Sequence, residues 1–336
     1  MHRAMKKIIT AISLLFTILL IAGVLFYSRY QSFVSAERVQ TDHILTVSSG
    51  DTAQLIANQM ILESNFESKV FLRVFFKQNP GITNIKLGSY KVAAGWNFQT
   101  LFEHLVSGGE FQYKITFIEG STFKEWRKQL TQATGIIDDT ADLSEVELAQ
   151  LLQIENSKLE GLMLPETYFY PQGTLVSALY LKSHKKLQAY LDTAWETRDK
   201  NLPLKTPYEA LILASIIEKE TGLESERATV SSVFINRLNR RMRLQTDPTV
   251  IYGMGDEYKG NIRRKHLRQK TDYNTYVIRG LPPTPIAMVG KMSIDAALHP
   301  AKTSYLYFVA SGDGGHYFSK NLKEHNRAVR KYILKR

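Results

Sequence analysis

The run IITAISLLFTILLIAGVLFY, Ile8 to Tyr27, holds twenty residues without a charge. As a helix it reaches about 30 Å, the thickness of a bilayer's hydrocarbon core. His2, Arg3, Lys6 and Lys7 precede it. By the positive-inside rule that flank places residues 1–7 in the cytoplasm and the chain beyond about residue 30 outside. The rival reading is a cleaved signal peptide, for which the small residues around Val34, Ser35 and Ala36 would suit a peptidase. A signal peptide's apolar core is usually about 7–15 residues long. This run is longer, so the expectation is a retained single-pass transmembrane helix over 8–27.

The anchor governs what the charge means. The net charge is +11, and residues 1–200 contain 20 basic and 20 acidic side chains against 23 and 12 in residues 201–336. The excess therefore lies wholly in the last 136 residues, with six cations and no acid in KGNIRRKHLRQK, Lys259 to Lys270. Such a run is either a solvated face or a groove for an anionic polymer. Nucleic acid would be the default partner of a cytosolic chain. An exported domain instead meets envelope glycans, teichoic acids or lipid head groups, so no nucleic-acid partner is expected. The absence of cysteine excludes disulfides, thiolate metal sites and a thiol nucleophile.

Periodicity divides the rest. Residues 28–43 read as a polar juxtamembrane spacer. HILTVSSG alternates like a strand, DTAQLIANQMILES and FESKVFLRVFFKQN have helical spacing, and IKLGSYKVAAGWNFQTLFEHLVSGG gives a strand pair and a helix ending at Gly108. This order, over 44–112, resembles a LysM-like module through its strand-Gly-Asp-Thr entry and its LGSY; a generic small α+β module fits as well. Residues 113–336 form the second region. There QYKITFIEGSTFKEWRKQL is strand, turn at Glu119-Gly120 and helix, the acidic stretch Asp138–Glu147 is a mobile helix cap, and a long helix covers 175–199. The chain is α+β throughout.

The most informative stretch is LILASIIEKETGLESER, Leu211 to Arg227. Six of the seven residues before Glu218 are apolar on every side, so a helix over 207–221 is central and buried. Burial raises a carboxyl pKa, and a proton-donating glutamate needs such a seat. The alternative for Glu218 is a structural ion pair with a nearby arginine. Glu220 points some 200° away at about 100° per residue, and it reads as solvated and ionised, like Glu224 and Glu226. A second helix begins near Ser225, with Val230, Val233, Phe234 and Leu238 as its inward stripe.

ASIIEKETGLESERATVSSVFINRL, MRLQTDPTVIYGMG, YNTYVIRGLPPTPIAMVG and GGHYFSKNLKEHN, with the earlier EGLMLPETYFYP and FIEGSTFKEW, closely resemble the endolytic murein transglycosylase, YceG-like family. The resemblance implies a larger α+β catalytic domain over 113–336, in the periplasm or otherwise outside a bacterial inner membrane. It also implies lytic cleavage of the MurNAc–GlcNAc bond in nascent peptidoglycan strands, leaving a 1,6-anhydro-MurNAc end and ending strand growth. The family's single catalytic glutamate is placed on Glu218. Peptidoglycan synthases become candidate protein partners, and no cofactor is implied. Two other readings stay open: a glycan hydrolase in which Asp247 activates water, and a non-catalytic wall-binding scaffold.

Glycosidases usually carry two carboxyl groups. One acid suffices where the substrate's own N-acetyl and C6 hydroxyl groups attack. Asn236, Gln245 and Asp247 are candidates to bind sugar hydroxyls or the acetamido group, although Asp247-Pro248 also suits a helix start. Tyr273, Asn274 and Tyr276 offer the aromatic faces and amide of a saccharide groove, with packing as the other account of Tyr276. SGDGGHYFS lacks the Lys-Ser/Thr of a phosphate loop. His316 and His325 have no metal-ligand spacing. Both read as structural, and no metal is expected.

Overall fold

The computed structural model describes residues 2–61 and 66–334. It divides into two compact units, residues 1–113 with 170–172 and residues 114–169 with 173–336. Helices and short strand pairs, antiparallel and parallel, make this a mixed α+β chain.

The first unit runs α1 (His2–Ser35), β1 (His43–Val47), α2 (Ala53–Gln59), α3 (Phe66–Gln78), β2 (Gly88–Val92) and α4 (Phe98–Ser107). α1 carries a stretch long and apolar enough to cross a membrane, residues 5–35, with its large apolar side chains exposed as far as Tyr27. β1 and β2 pair antiparallel from His43↔Val92 to Val47↔Gly88. The expected strand pair near residue 90 is thus one strand, and its partner is β1. α2 is shorter than expected; the tail of its predicted span, Leu62–Ser64, lies outside the described residues. In α4 the Asn97 side chain accepts from Thr100 N, and Gly108 ends the helix at φ +79°. Its residues Phe98, Leu101, Phe102 and Leu105 are buried at helical spacing. Phe71, Leu72 and Phe75 of α3 join the same core.

The predicted spacer is not a spacer. α1 continues to Ser35, Tyr30 and Val39 are buried, and Phe33 and Val34 pack on the core. The Phe33 ring centroid lies 5.5 Å from that of Phe71, and Tyr30 donates to Gln78 Oε1 at 2.6 Å. Positions 30, 33 and 34 have i, i+3, i+4 spacing, which turns them to one side of the helix. Polar neighbours masked that stripe in the sequence.

Along the chain follow β3 (Tyr113–Thr116), α5 (Phe123–Leu130), β4 (Ile136–Ile137), α6 (Glu145–Leu151), β5 (Thr167–Tyr170), β6 (Thr174–Leu175) and α7 (Val176–Thr197), all in the second unit except the end residues Tyr113 and Tyr170. Then come α8 (Pro207–Glu220), α9 (Glu224–Asn239), α10 (Asp247–Met254), α11 (Lys291–Leu298), β7 (Tyr307–Ala310), β8 (His316–Ser319) and α12 (Leu322–Tyr332). The acidic stretch before α6 is tied down rather than free. Ser144 and Glu147 form a capping box, and Asp139 accepts from Ser177 N at 3.0 Å.

α8 is the axis of this unit. Thr206 caps it by accepting from Glu209 N, and Pro207 opens its first turn. Ala210 to Ile217 are buried without a gap, against α7, α9, α10 and α11. Its one polar core residue, Ser215, donates to Ile212 O at 2.7 Å and accepts from Ile286 N at 3.0 Å. β7 and β8 form an antiparallel hairpin from Tyr307↔Ser319 to Ala310↔His316, and α12 packs on it.

One buried acid braces this frame away from α8. Glu160 is 5% exposed, accepts from Phe123 N at the start of α5 at 3.0 Å, and bonds the Tyr252 hydroxyl of α10. Burial pushes its carboxyl up to about 7, against the lowering by those two bonds. A folded-state pKa above the unfolded value gives stability that is complete below the unfolded pKa, near 4.5, and lost as pH rises through about 7. Chemical denaturation at pH 5 and pH 8 should therefore show the wild type losing stability with rising pH. Glu160→Gln should flatten that slope.

Candidate active site

The last turn of α8 carries two carboxylates on opposite sides. Glu220 follows Ile217, Ile216 and Leu213 at i−3, i−4 and i−7, all fully buried. It sits in a cavity of about 470 Å3 with Arg237, Gln245, Thr246, Asp247, Tyr276, Tyr307, His316 and His325 on its walls. Thr246 donates its hydroxyl to Glu220 Oε1. Burial pushes the Glu220 carboxyl up, the Thr246 bond opposes this, Asp247 adds to the rise, and His316 and Arg237 pull it down. The expectation that Glu220 is solvated fails because the fully buried stretch of α8, Ala210 to Ile217, ends just before it, and a turn of about 200° from Glu218 aims its carboxyl into this cavity rather than at open solvent.

Gln245, Asp247 and Tyr276 line this cavity, about Glu220 rather than Glu218. Gln245 holds a left-handed backbone, φ +49°, and donates its N–H to Thr275 O at 3.2 Å. Strain of this kind in a non-glycine residue is common at ligand sites. The Tyr276 hydroxyl donates to Asp247 Oδ1 at 2.7 Å, and burial with that carboxylate pushes its pKa upward. Asp247 also opens α10, ahead of Pro248. Arg237 is 7% exposed and gives Nε to Leu306 O and Nη1 to Leu244 O, both at 2.6 Å. Its charge faces the cavity unmatched by a carboxylate salt bridge among the described residues.

Three predicted binders stand elsewhere. Asn236 spends its amide on Thr303 O at 3.0 Å and Tyr305 O at 2.9 Å, which fastens α9 to the irregular segment leading into the hairpin. Asn274 is 1% exposed; its amide donates to His266 O and Gln269 O and its oxygen accepts from Tyr276 N. Tyr273 bonds Thr284 Oγ1 at 2.8 Å and packs on Tyr252 with centroids 4.9 Å apart. All three hold backbone or ring partners rather than line the cavity. Polar side chains in a motif look alike in sequence whether they bind sugar or carbonyls.

Glu218 is held on the opposite side. Its side chain is 6% exposed, its Oε2 accepts from Gly290 N at 3.1 Å, and its Oε1 lies 3.7 Å from Arg227 Nη2. The neighbouring Lys219 donates to Gly120 O at 2.9 Å. Glu119 approaches the same glycine so closely that a Cβ at 290 would stand 2.0 Å from its Oε1. Burial and the Glu218 charge push Glu119 up, while Arg227 opposes them. This is the ion-paired arrangement that a structural glutamate takes, and sequence reading saw only a turn at Glu119.

A cleft of about 540 Å3 between α7 and α11 has fewer convergent polar groups: Lys186 and Lys291 both close on Glu166 at 2.6 Å, and Tyr190 on Asp295 at 2.6 Å. The Glu220 cavity is the candidate active site.

A model of the YceG-like family matches residues 45–331. The chain belongs to the YceG-like family. A Bacillus subtilis member named endolytic murein transglycosylase is 32% identical over 340 residues, covering 94% of this chain and 91% of that one. A Streptococcus pneumoniae protein of the same name is 26% identical over 296 residues, covering 77% of this chain and 53% of the other. The crystal structure of a yceG-like protein from Listeria monocytogenes superposes with a TM-score of 0.53 at 28% identity, over 86% of this chain and 99% of that one. The match to the YceG-like family spans the whole of α8 and every wall of the Glu220 cavity.

Proposed function

We propose that this YceG-like chain is a lytic murein transglycosylase with Glu220 as its general acid. The observation that carries the assignment is the convergence of Gln245, Thr246, Asp247 and Tyr276 on a buried carboxyl whose ionisation is suppressed by its surroundings. The names of the relatives supply the substrate class, a murein strand. Glu220 gives its proton to the glycosidic oxygen as the C1–O bond breaks, and the substrate's N-acetyl group stabilises the cationic C1. The carboxylate left behind takes the proton of the C6 hydroxyl as O6 closes on C1. The product is a 1,6-anhydro-MurNAc end, and water is not consumed. Holding O6 over C1 supplies the entropic part of the catalysis.

A hydrolase is the second reading, because Asp247 lines the same cavity and is held by Tyr276. Mass analysis of fragments from purified glycan strands separates the two. Anhydro ends support the transglycosylase, reducing ends the hydrolase, and intact strands would leave a wall-binding scaffold.

We read α1 as a single-pass anchor with residues 1–7 cytoplasmic and the rest of the chain outside an inner membrane. The strand–helix–helix–strand–helix order of the first unit supports a LysM-like module that holds glycan, and peptidoglycan synthases are the candidate protein partners at nascent strands. Lys259, Arg263, Arg264, Lys265, Arg268 and Lys270 are all exposed, and the loop carrying them is pinned by Asn274. We assign this loop to steering acidic stem peptides. Replacing Arg263, Arg264 and Lys265 by Gln should weaken binding to long strands and flatten its salt dependence, since exposed charges act over about 8 Å at physiological salt. Turnover at saturating substrate should hold. A co-sedimentation series in salt checks this; unchanged binding would make the loop a solvated face.

A further inference from the structure

Helix α3 meets α1 where the chain leaves its apolar run. Near the start of α3, Glu67 pairs with Arg29 at 3.2 Å, and at its end Gln78 Oε1 accepts from the Tyr30 hydroxyl at 2.6 Å. Between them the Phe71 ring meets Phe26, Tyr30 and Phe33, with centroids 5.2, 5.8 and 5.5 Å away. From residue 67 to residue 78, α3 advances about 16 Å, yet its two end contacts fall on neighbouring residues of α1. The helices are therefore crossed, not aligned. The uncharged run of α1 ends at Tyr27. Arg29 and Tyr30 stand about 3–5 Å beyond that residue. With α1 spanning a bilayer, α3 lies along the membrane plane at the depth of the head groups.

The faces of α3 suit that place. At about 100° per residue, Phe71, Leu72 and Phe75 turn into the core, and Glu67 and Gln78 turn toward α1. The core also meets α1 further on, at Phe33, whose ring centroid is 5.8 Å from that of Phe98. The body of the unit thus lies on the side of α3 away from the bilayer. The opposite stripe is Phe66, Lys69, Arg73 and Lys77, at i, i+3, i+7 and i+11. All four are exposed, Phe66 by 83%. Glu67, the one acid of α3, is drawn off to Arg29. Cations with an aromatic ring are what a helix lying in a bilayer interface presents to the lipid.

We propose that α3 is a second membrane contact, with Phe66 entering the interface and Lys69, Arg73 and Lys77 holding acidic lipid head groups. The proposal rests on α1 as a single-pass anchor. A lone transmembrane helix can tilt by as much as about 40°. A basic helix laid across its exit gives the first unit a second footing and fixes the angle at which the unit is presented.

The chain has no cysteine, so single-cysteine variants can be labelled without background. The full-length protein would be placed in vesicles of phosphatidylglycerol and phosphatidylethanolamine, with a fluorophore at Phe66→Cys, Lys77→Cys or Leu19→Cys. Leu19, in the middle of the apolar run, reads the anchor. Its label should be quenched only by nitroxides deep in the acyl chains. The label at 66 should be shielded from a water-soluble quencher and reached by nitroxides at the head group and upper chain. The label at 77 should be reached by the head-group nitroxide. With the label at 66, Arg73→Gln should raise by about fivefold the phosphatidylglycerol fraction that gives half-maximal shielding, the usual contribution of one cation near an acidic surface. Labels at 66 and 77 open to water, with Leu19 in the hydrocarbon, would overturn the proposal and leave the anchor standing. An unmoved phosphatidylglycerol fraction would also overturn it, as would shielding that appears only when glycan strands are added. A Leu19 label outside the hydrocarbon would remove the anchor reading, and this footing with it. If Phe66→Cys does not fold, the label at 77 decides.

Discussion

Glu220→Gln is expected to leave a folded protein whose strand cleavage drops by about 10²–10⁴-fold, the usual contribution of a general acid. Gln keeps the volume and can still accept the Thr246 hydroxyl, so the seat stays filled while the transferable proton is gone. Glu218→Gln is the matched control, two residues away in the same turn. Its carboxylate faces Arg227 and Gly290 N and does not line the cavity, so its loss should lower turnover by less than about tenfold. Release of anhydro-ended fragments, measured beside circular dichroism for each variant, makes the comparison. The reverse ranking would return the acid to Glu218.

The second large effect is on stability. Arg227 and Glu218 form a sheltered pair, 10% and 6% exposed, with Glu119 packed beside them. Arg227→Met removes the one cation of the group and keeps much of the packing. A buried charge left without its partner costs about 3–5 kcal/mol. For a unit of this size the melting temperature should fall on the order of 10 °C. The pair itself has little net worth against an apolar replacement. Arg227→Met combined with Glu218→Gln should therefore recover most of the loss. Calorimetry of the three proteins tests this, and a fall under about 1 kcal/mol would show that solvent screens the pair.

Much of this architecture is legible in the chain. Helix α8 starts and stops close to where Pro207 and Thr221 imply, and the unbroken apolar run correctly makes it the axis. The cavity residues Gln245, Asp247 and Tyr276 stand out by their chemistry. Glu218 and Glu220 both lie at the end of a run apolar on every side, and neither face is marked as outer. Glu220 continues the row Leu213, Ile216 and Ile217, and Glu218 the equally buried row Leu211, Ala214 and Ser215, so the local pattern does not sort them. Asn236 and Asn274 could not be sorted in the same way. Their partners are carbonyls at Thr303, Tyr305, His266 and Gln269, and side-chain chemistry gives no sign of which backbone groups lack partners.

Helix α1 has a mechanical consequence. A polar tether of sixteen residues would let the first unit wander through a volume set by chain statistics. Here the helix instead runs without a break from residue 5 to Ser35, with Tyr30, Phe33 and Val34 seated in the core of that unit. Between Tyr27 and Ser35 it rises about 12 Å at 1.5 Å per residue. With α1 spanning a bilayer, the first unit stands on a stiff post. Its elevation above the lipid is then a built-in dimension, and whatever the unit binds is confined to a thin layer just over the surface.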